Sequence, residues 1–266
     1  MRLERVTYRY AGASGPAIED LDLELRDGEV VGLVGPTEAG KSTLCLVLAG
    51  LAPRAIRGTL TGRMFIDGED VTARPMHELA ALVSIGFQDP GTQRSGVAGT
   101  VYEEVAFGPA NLGVPRAALM ERTASALRRL GIEDLAGRDP ARLSGGQQQL
   151  VAIAGLLAMH PRHLVLDEPT ARLDAAGTRL VMDAIGELAA TGASILIAEQ
   201  RTDELSGVCG RVLVIDGGEI VQDGSAHEVL TAPGIRARGI AEPSAIRLAR
   251  LLQDAGIDPG VLSAAD

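Results

Sequence analysis

The sequence predicts an α/β fold, and three features of the chain carry that prediction. Val30–Val34 is a short apolar run rich in β-branched residues, typical of a strand buried on both faces of a parallel sheet. A glycine-rich loop and then an apolar helical pattern over Thr43–Ala49, closed by Gly50, follow it directly. Strand patterns return at three later places: His163–Asp167, Ser194–Ala198 and Val212–Ile215. Because a helical pattern at Arg179–Ala190 separates the first two of these, we expect a parallel sheet covered by helices.

Two further groups of elements surround this predicted core. Residues 2–9 and 20–25 alternate with a period of two, which predicts antiparallel strands, and residues 63–68 predict a strand that enters a tight turn. Between about residues 90 and 160 helical patterns dominate, at Ala117–Leu130 and Gly146–Met159. Val212–Asp223 contains an Asp-Gly-Gly turn and predicts a closing hairpin.

Length and composition exclude several classes of protein. The 266 residues can bury a full core, and 46% hydrophobic with 23% charged residues is ordinary globular usage. A net charge of −10 argues against nucleic-acid binding, since neutralising phosphates requires a basic face. The longest run without Asp, Glu, Lys or Arg, residues 143–161, is too polar to cross a bilayer, so we expect a protein that is soluble by itself. Cys45 and Cys209 lack a metal-ligand spacing, which favours a reducing, cytosolic setting.

The loop after the first buried strand carries the strongest chemical signal. It matches the phosphate-binding pattern Gly-x-x-x-x-Gly-Lys-Ser, with the residues Gly35, Pro36, Thr37, Glu38, Ala39, Gly40, Lys41 and Ser42. The glycines let backbone N–H groups surround a polyphosphate, and the helix that follows adds its positive end. Lys41 is expected to reach the β- and γ-phosphates and Ser42 to bind Mg²⁺. The alternative is a glycine turn that only links a strand to a helix.

One count supports the functional interpretation of this loop. Lys41 is the only lysine among 25 basic residues, and all the others are arginine. A bias in nucleotide composition explains the arginines, but it does not explain why position 41 kept a lysine. A slim ammonium fits inside a phosphate-binding loop, whereas the forked guanidinium of arginine does not.

A second segment complements the loop. Residues 163–168, His-Leu-Val-Leu-Asp-Glu, form an apolar strand that ends in two acids. Two adjacent carboxylates at a strand end are otherwise common in exposed turns and helix caps. Together with the phosphate-binding loop, they predict that Asp167 holds Mg²⁺ through water and that Glu168 polarises the attacking water.

A third segment gives the family resemblance. Residues 143–147, Leu-Ser-Gly-Gly-Gln, precede a helix and end 20 residues before Asp167. Ser and Gly at a helix start form an N-terminus that receives anions. The segment resembles the signature sequence of ATP-binding cassette (ABC) proteins, and the other two motifs occur in the expected order. The resemblance spans roughly residues 1–230 and implies a P-loop NTPase (RecA-like) ABC nucleotide-binding domain. Its antiparallel β subdomain and a helical subdomain at about 90–160 are followed by a short C-terminal extension, residues 231–266, with an amphipathic segment at Pro243–Asp254.

The resemblance also implies roles for individual residues. Two ABC subunits close head to tail, so Ser144 and Gly146 would touch the γ-phosphate of the ATP that the partner subunit's loop holds. Tyr10 takes the place of an aromatic residue that stacks on adenine, with packing as the alternative. Gln88 is similar to a glutamine that touches Mg²⁺, and Asp174 matches the loop that crosses the dimer interface. The expected ATP contacts are Tyr10, Gly35, Pro36, Thr37, Glu38, Ala39, Gly40, Lys41, Ser42, Thr43, Ser144, Gly145, Gly146, Gln147 and Asp174. The expected Mg²⁺ contacts are Ser42, Gln88 and Asp167, and the expected catalytic residues are Glu168, Gln200 and Gln88.

Three positions depart from the family pattern. Glu38 replaces the usual glycine in the phosphate-binding loop, at a position where we expect no demand from the loop geometry. Leu150 stands where an arginine commonly follows the signature. Gln200 stands where the family usually has a histidine that contacts the γ-phosphate, so we expect ATP binding to be retained and hydrolysis at this site to be slowed. A second ATPase that carries the histidine would then use the complete signature of this chain.

A finer resemblance points to a type of transporter. Phe87–Pro90, Glu103–Gly108 and Asn111–Gly113 resemble the ATPase subunits of energy-coupling factor (ECF) importers, and Glu199 is similar to some of these subunits. Such importers take up vitamins or transition-metal ions through a substrate-binding membrane subunit and a transmembrane coupling subunit. The resemblance therefore implies a second ABC ATPase as partner, in a homo- or heterodimer, at the cytoplasmic face of the cell membrane.

Two other functions use the same motifs. A soluble, non-transport ABC ATPase would work without a membrane partner, although the acidic balance and the lack of basic arms argue against it. A subunit that binds ATP and dimerises but barely hydrolyses is the other alternative, and Gln200 is its only support.

Overall fold

The computed structural model describes residues 1–255, so residues 256–266 of the predicted C-terminal extension lie outside the described residues. Two sheets organise the chain: a four-stranded sheet in the order β2-β1-β4-β5 and a six-stranded sheet in the order β10-β9-β3-β8-β7-β6. The strands are β1 Arg2–Tyr10, β2 Ile18–Glu24, β3 Val30–Val34, β4 Gly58–Ile66, β5 Glu69–Asp70, β6 Val83–Gly86, β7 His163–Asp167, β8 Ser194–Ala198, β9 Arg211–Asp216 and β10 Glu219–Ser225.

Helices connect and cover these strands. They are α1 Lys41–Leu48, α2 Leu51–Arg54, α3 Met76–Leu79, α4 Val101–Asn111, α5 Arg116–Arg129, α6 Gly145–Ala158, α7 Ala175–Ala190, α8 Thr202–Ser206, α9 Ala226–Leu230 and α10 Ser244–Asp254. The prediction of an α/β fold is confirmed. The structure adds a helix that the sequence patterns did not predict, α4, and a strand at one edge of the larger sheet, β6.

The order of the strands in the larger sheet creates the crevice in which the site lies. Five strands, β9, β3, β8, β7 and β6, run parallel, and β10 pairs antiparallel with β9. From β3, the strand order proceeds to β9 on one side and to β8 on the other, so β3 lies where the connections diverge. Ligands bind at such a point, beyond the carboxyl ends of the strands. The loops after β3, β7 and β8 therefore meet at one edge.

Two hydrophobic cores share the parallel sheet. Val31 and Leu33 of β3 pack with the antiparallel sheet and α1, whereas Val30 and Val34 pack with the helices on the opposite face. Both faces of β3 are therefore buried, which explains why its sequence is a continuous run of apolar residues and glycine.

The helical part between residues 90 and 160 packs as a layer of three helices. Helix α4 contacts both α5 and α6, and α5 contacts α6. Thr100 caps α4: its hydroxyl accepts from the N–H of Glu103, whose side chain reaches back to the N–H of Thr100. Pro109 lies inside α4, and because proline is rare in helix interiors the sequence of this segment does not predict a helix.

The last described elements attach to the edge of the core. The backbone N–H and the hydroxyl of Ser244, the first residue of α10, donate to the carboxylate of Asp203 on α8, at 2.5 and 2.9 Å. The amphipathic segment expected at Pro243–Asp254 is thus a helix, held at its first residue. Over residues 1–255, no helix combines the length and the apolar character needed to cross a bilayer.

Candidate functional site

The loop between β3 and α1 is held so close to its neighbours that it requires glycine. A Cβ atom on Gly35 would lie 2.2 Å from the carbonyl oxygen of Ile215, and one on Gly40 would lie 2.7 Å from that of Ala17. Gly40 also has φ of 108°, a conformation that side chains rarely adopt. Ile215 lies in β9, beside β3, so the neighbouring strand leaves no space for a side chain at the first residue of the loop.

The amino end of α1 is open to an anion. Among residues 1–255, no side chain caps this helix, and its first turn holds no acidic residue. The N–H groups of a first helical turn need a partner, and a phosphate supplies one. Lys41 folds over the loop, where its Nζ donates to the carbonyl oxygens of Gly35 and Pro36 at 2.8 and 2.9 Å. The loop therefore offers donors and a positive charge around one small space, which fits a polyphosphate.

Glu38 corrects one expectation. Its φ of 66° places it in the left-handed region, where residues other than glycine are strained by about 1–2 kcal/mol. The expectation that the loop geometry makes no demand at this position is wrong. The geometry favours the glycine that the family usually has there, although the Glu38 side chain itself is exposed.

Asp167 ends β7 beside the loop and completes an oxygen-rich pair with Ser42. Burial raises the pKa of the Asp167 carboxyl, whereas a hydrogen bond with Ser42 and the positive charge of Lys41 oppose the rise. Burial lowers the pKa of Lys41, and the charges of Glu168 and Asp167 oppose that change. A hydroxyl and a carboxylate are the hard oxygen ligands that Mg²⁺ prefers, so this donor set fits the ion.

Glu168 lies between two amide side chains. Its Oε2 accepts from Nε2 of Gln88 at 2.7 Å, and its Oε1 accepts from Nε2 of Gln200 at 2.6 Å. Its backbone N–H donates to the carbonyl oxygen of Ala198 in β8 at 2.8 Å, and its φ is 49°. Non-glycine residues in this region cluster at functional sites, because the surrounding structure must hold the strain. Three separate segments thus converge on one carboxylate.

Tyr10 lies at the edge of the same space. Its hydroxyl forms a hydrogen bond of 3.0 Å with the hydroxyl of Thr43 in α1, and its ring meets that of Tyr8 edge-on, with 5.0 Å between ring centres. The hydrogen bond places Tyr10 beside the first turn of α1, because Thr43 is the third residue of that helix. This position is compatible with stacking on a base and also with packing.

A cleft of about 460 Å³ brings most of the predicted residues together. Its lining consists of Tyr10, Ala17, Thr37, Glu38, Ala39, Gly40, Lys41, Ser42, Thr43, Gln88, Glu168 and Gln200. Gly35, Pro36 and Asp167 lie directly behind this lining, through their contacts with Lys41 and Ser42. Ala17 is the one lining residue that sequence reasoning missed.

The predicted signature lies elsewhere. Within the described residues, neither Ser144 to Gln147 nor Asp174 lines this cleft. Ser144 caps α6: its hydroxyl accepts from the N–H of Gln147 at 3.3 Å, and the Gln147 side chain accepts from the N–H of Ser144 at 3.1 Å. Asp174 caps α7 by accepting from the N–H of Gly177 at 2.8 Å. One chain therefore brings together the phosphate-binding residues in one cleft, and the signature residues 144–147 are not part of its lining.

Comparison with known proteins places this geometry in a family. Residues 18–171 match the ABC transporter family. The chain belongs to the ABC transporter family. A putative ABC transporter ATP-binding protein of Methanosarcina acetivorans is 40% identical over 255 residues, which are 95% of this chain and 41% of that protein. The chain thus spans less than half the length of this relative.

Two other ABC proteins resemble the chain over most of their length. The energy-coupling factor transporter ATP-binding protein EcfA2 of Symbiobacterium thermophilum is 38% identical over 253 residues, which are 93% of this chain and 85% of that protein. The solved structure of cbiO1 of Clostridium perfringens, part of the ABC transporter complex cbiONQ, is 31% identical. It has a TM-score of 0.76 and covers 95% of this chain and 98% of its own. The first of these relatives supports the resemblance to ECF transporter ATPase subunits.

Two contacts around this ABC site were not expected from the sequence. Arg172 joins the loop before α7 to the segment that carries Gln88, through an ion pair of 3.1 Å with Asp89. Glu199 is buried, and its carboxylate accepts from the backbone N–H and the hydroxyl of Thr170. The sequence offered two signals for Glu199, its charge directly after the apolar strand β8 and its resemblance to some ECF subunits, but neither predicted a contact with Thr170.

Proposed function

We propose that this chain is the ATP-binding and ATP-hydrolysing subunit of an ABC importer of the ECF type, which powers uptake of a vitamin or a transition-metal ion. The observation that carries the proposal is the position of the Glu168 carboxylate between Gln88 and Gln200 at the mouth of the phosphate-binding cleft. In this proposal, residues 1–230 form the ABC ATPase domain, its helical subdomain covers about residues 90–160, and residues 231–266 form a C-terminal extension.

We propose one step for each group of the cleft. The ATP phosphates take the N–H groups at the start of α1, and Lys41 leaves its two carbonyl partners to contact them. Ser42, Asp167 and Gln88 would hold Mg²⁺, which neutralises charge on the phosphates. Glu168 then orients and polarises the attacking water, while its two amide partners keep the carboxylate in one orientation. Each carboxylate oxygen keeps a lone pair for that water.

The separation of the signature from the cleft supports a two-subunit site. Ser144 and Gly146 stand at the start of α6, where N–H groups and the helix dipole favour an anion. Since the cleft of the same chain does not include them, we propose that they cap the γ-phosphate held by a second ABC ATPase subunit, with Asp174 in the loop that crosses the interface. ATP binding would close the pair, and hydrolysis would open it.

A groove between α4 and α6 supports docking of a transmembrane coupling subunit. It encloses about 170 Å³. Most of the residues that line it are apolar or small, including Phe107 and Gly108 on α4 and Val151, Gly155 and Met159 on or next to α6. Phe107 is 40% exposed although it is a large aromatic residue. The groove also includes Gln93, five residues after Gln88, so a helix seated there would lie close to the segment that holds Glu168. Such docking would hold the chain at the cytoplasmic face of the membrane, beside a substrate-binding membrane subunit.

A second candidate function rests on Gln200. An uncharged amide at the position of the usual histidine favours a subunit that hydrolyses ATP weakly and acts mainly by lending its signature to a partner ATPase. Steady-state hydrolysis by the purified chain, compared with hydrolysis after mixing with a second ABC ATPase, distinguishes the two functions.

Nucleotide binding by the purified chain tests the main proposal. Titration with labelled ATP and Mg²⁺ should show saturable binding, Lys41→Ala should weaken it at least 10-fold, and Glu168→Gln should bind normally but hydrolyse about 10²–10⁴-fold more slowly. Arg63→Ala removes an exposed cation far from the cleft and serves as the control. Absence of saturable binding, or binding that survives Lys41→Ala unchanged, would overturn the proposal.

A further inference from the structure

Glu199 is an acidic residue at a buried position. It follows β8, whose five residues are all buried, and only 2% of Glu199 is exposed. Burying a carboxylate is costly unless hydrogen bonds compensate for the lost water. The residues that line the cleft include its neighbour Gln200 but not Glu199. It is thus a buried acid with no direct part in the proposed reaction.

One oxygen of this carboxylate, Oε1, binds the segment that follows Glu168. Oε1 of Glu199 accepts from the backbone N–H of Thr170 at 3.1 Å and from its hydroxyl at 2.6 Å. Thr170 is fully buried, so neither donor has access to water as a substitute. The backbone N–H of Glu199 in turn donates to the carbonyl oxygen of Leu33, two residues before the phosphate-binding loop, at 3.1 Å. Burial raises the pKa of Glu199, and the hydrogen bonds from Thr170 oppose the rise.

Glu199 and Gln200 together hold both ends of a three-residue segment. Gln200 donates to the carboxylate of Glu168, and Glu199 accepts from Thr170, two residues later. The two adjacent residues after β8 therefore contact the same turn, one at Glu168 and the other at Thr170. The turn itself is closed by a bond from the N–H of Ala171 to the carbonyl oxygen of Glu168, at 3.2 Å.

The same contact fixes the start of the loop that the proposed function assigns to the dimer interface. The N–H of Leu173 donates to the carbonyl oxygen of Thr170 at 3.0 Å, and Asp174 then caps α7. Displacement of Thr170 would therefore move Glu168 on one side and residues 171–174 on the other.

We infer that Glu199 is a positioning residue for ATP hydrolysis, which acts through Thr170 to set the place of Glu168 and of residues 171–174. The inference rests on the proposed function, because it assumes that Glu168 polarises the attacking water. It adds that the end of β8 provides two aligning contacts, one at the reacting carboxylate and one behind it.

Four variants of the full chain test the inference. Glu199→Ala removes the acceptor, and Thr170→Val removes the hydroxyl donor while keeping the shape of the side chain. Thr170→Ser keeps the hydroxyl and is the conservative rescue. Ser194→Ala is the matched control, because Ser194 is also buried and hydrogen-bonded but lies at the opposite end of β8.

Two measurements separate positioning from a merely structural role. Amide hydrogen exchange over residues 169–175 should become at least 10-fold faster in Glu199→Ala, while exchange in α1 stays as in the wild type. In steady-state kinetics, Glu199→Ala and Thr170→Val should each lower kcat about 10-fold with KM for ATP within 2-fold. Thr170→Ser and Ser194→Ala should keep kcat within 2-fold of the wild type. A variant that combines Glu199→Ala with Thr170→Val should lose no more kcat than the worse of the two single variants, since both changes disrupt the same contact.

The outcomes identify which idea fails. Normal exchange over residues 169–175 in Glu199→Ala, kcat within 2-fold of the wild type, or losses that multiply in the double variant would overturn the positioning role alone. If the wild type neither binds nor hydrolyses ATP, the proposed function fails and the inference fails with it. If Glu199→Ala does not fold, Thr170→Val, which leaves no cavity, gives the answer by the same two measurements.

Discussion

Nε2 of Gln200 donates a 2.6 Å hydrogen bond to Oε1 of Glu168, so the residue at the usual histidine position is bound to the proposed water-polarising carboxylate. The amide can only be neutral, whereas an imidazole at this position can carry a proton. Gln200 therefore orients Glu168 but adds no positive charge beside the γ-phosphate. We therefore expect the site to retain ATP and to hydrolyse it slowly.

Gln200→His should raise the steady-state rate of ATP hydrolysis by about 10-fold, which is less than the gain of about 10²–10⁴-fold from a full acid–base group because Glu168 already serves as the base. The reason is that an imidazole both reaches Glu168 and can carry a positive charge toward the phosphate. Hydrolysis is measured under saturating ATP and Mg²⁺, together with the dissociation constant for ATP, which should change little.

Gln222→His on β10 is the matched control, since it makes the same substitution outside the cleft and should leave the rate unchanged. An unchanged rate in Gln200→His would contradict the view that the glutamine slows this site.

Gly35→Ala should weaken ATP binding at least 10-fold and lower the free energy of unfolding by about 1–3 kcal/mol. The added Cβ would lie 2.2 Å from the carbonyl oxygen of Ile215, and backbone cannot yield as a flexible side chain does. Gly15→Ala is the control, because a Cβ there meets nothing within 4 Å. Urea unfolding and ATP titration check the pair, and equal stability of the two variants would show that the loop tolerates a side chain.

Glu38→Gly should do the opposite and raise the free energy of unfolding by about 0.5–1 kcal/mol. The substitution relieves the left-handed strain at φ of 66°, and part of that gain is lost because glycine adds freedom to the unfolded chain. Glu19→Gly in β2 is the comparison, and there glycine should destabilise. Urea unfolding measures the free energy of unfolding of both variants. A Glu38→Gly variant that is less stable than the wild type would contradict the argument.

The sequence predicted those parts of the fold and site whose signals are local. β7 and β8 have their predicted bounds, because a short apolar run with a polar end leaves little choice, and Lys41 begins the helix that follows the phosphate-binding loop. Helix α4 was missed because Gly108 and Pro109 interrupt its pattern, although Thr100 and Glu103 form a capping box and its buried residues recur at helical spacing. The contact between Glu199 and Thr170 joins residues 29 positions apart, and no pattern of spacing within one sequence reveals such a pair.

A buried histidine far from the cleft predicts how stability depends on pH. Nδ1 of His163 lies 2.6 Å from the hydroxyl of Ser194, and Nε2 lies 3.1 Å from a carboxylate oxygen of Asp67. A carboxylate accepts, so a neutral ring donates from Nε2 and accepts the Ser194 proton at Nδ1, and both contacts are satisfied without an added proton. Burial, together with the amino terminus of Met1, lowers the pKa of His163, and Asp67 opposes the change.

The sign follows from proton uptake. Below the ordinary pKa of 6.5 the unfolded chain binds a proton at this residue while the folded chain does not, so the free energy of unfolding falls as the pH drops from 7 towards 5. The slope from one such group is at most about 1.4 kcal/mol per pH unit. His163→Gln should be less stable at pH 8 but show a flatter decline between pH 7 and 5, measured by urea unfolding at each pH. His77→Gln, at an exposed position on α3, should keep the wild-type slope, and parallel curves for the wild type and His163→Gln would show that His163 does not set the acid limit of stability.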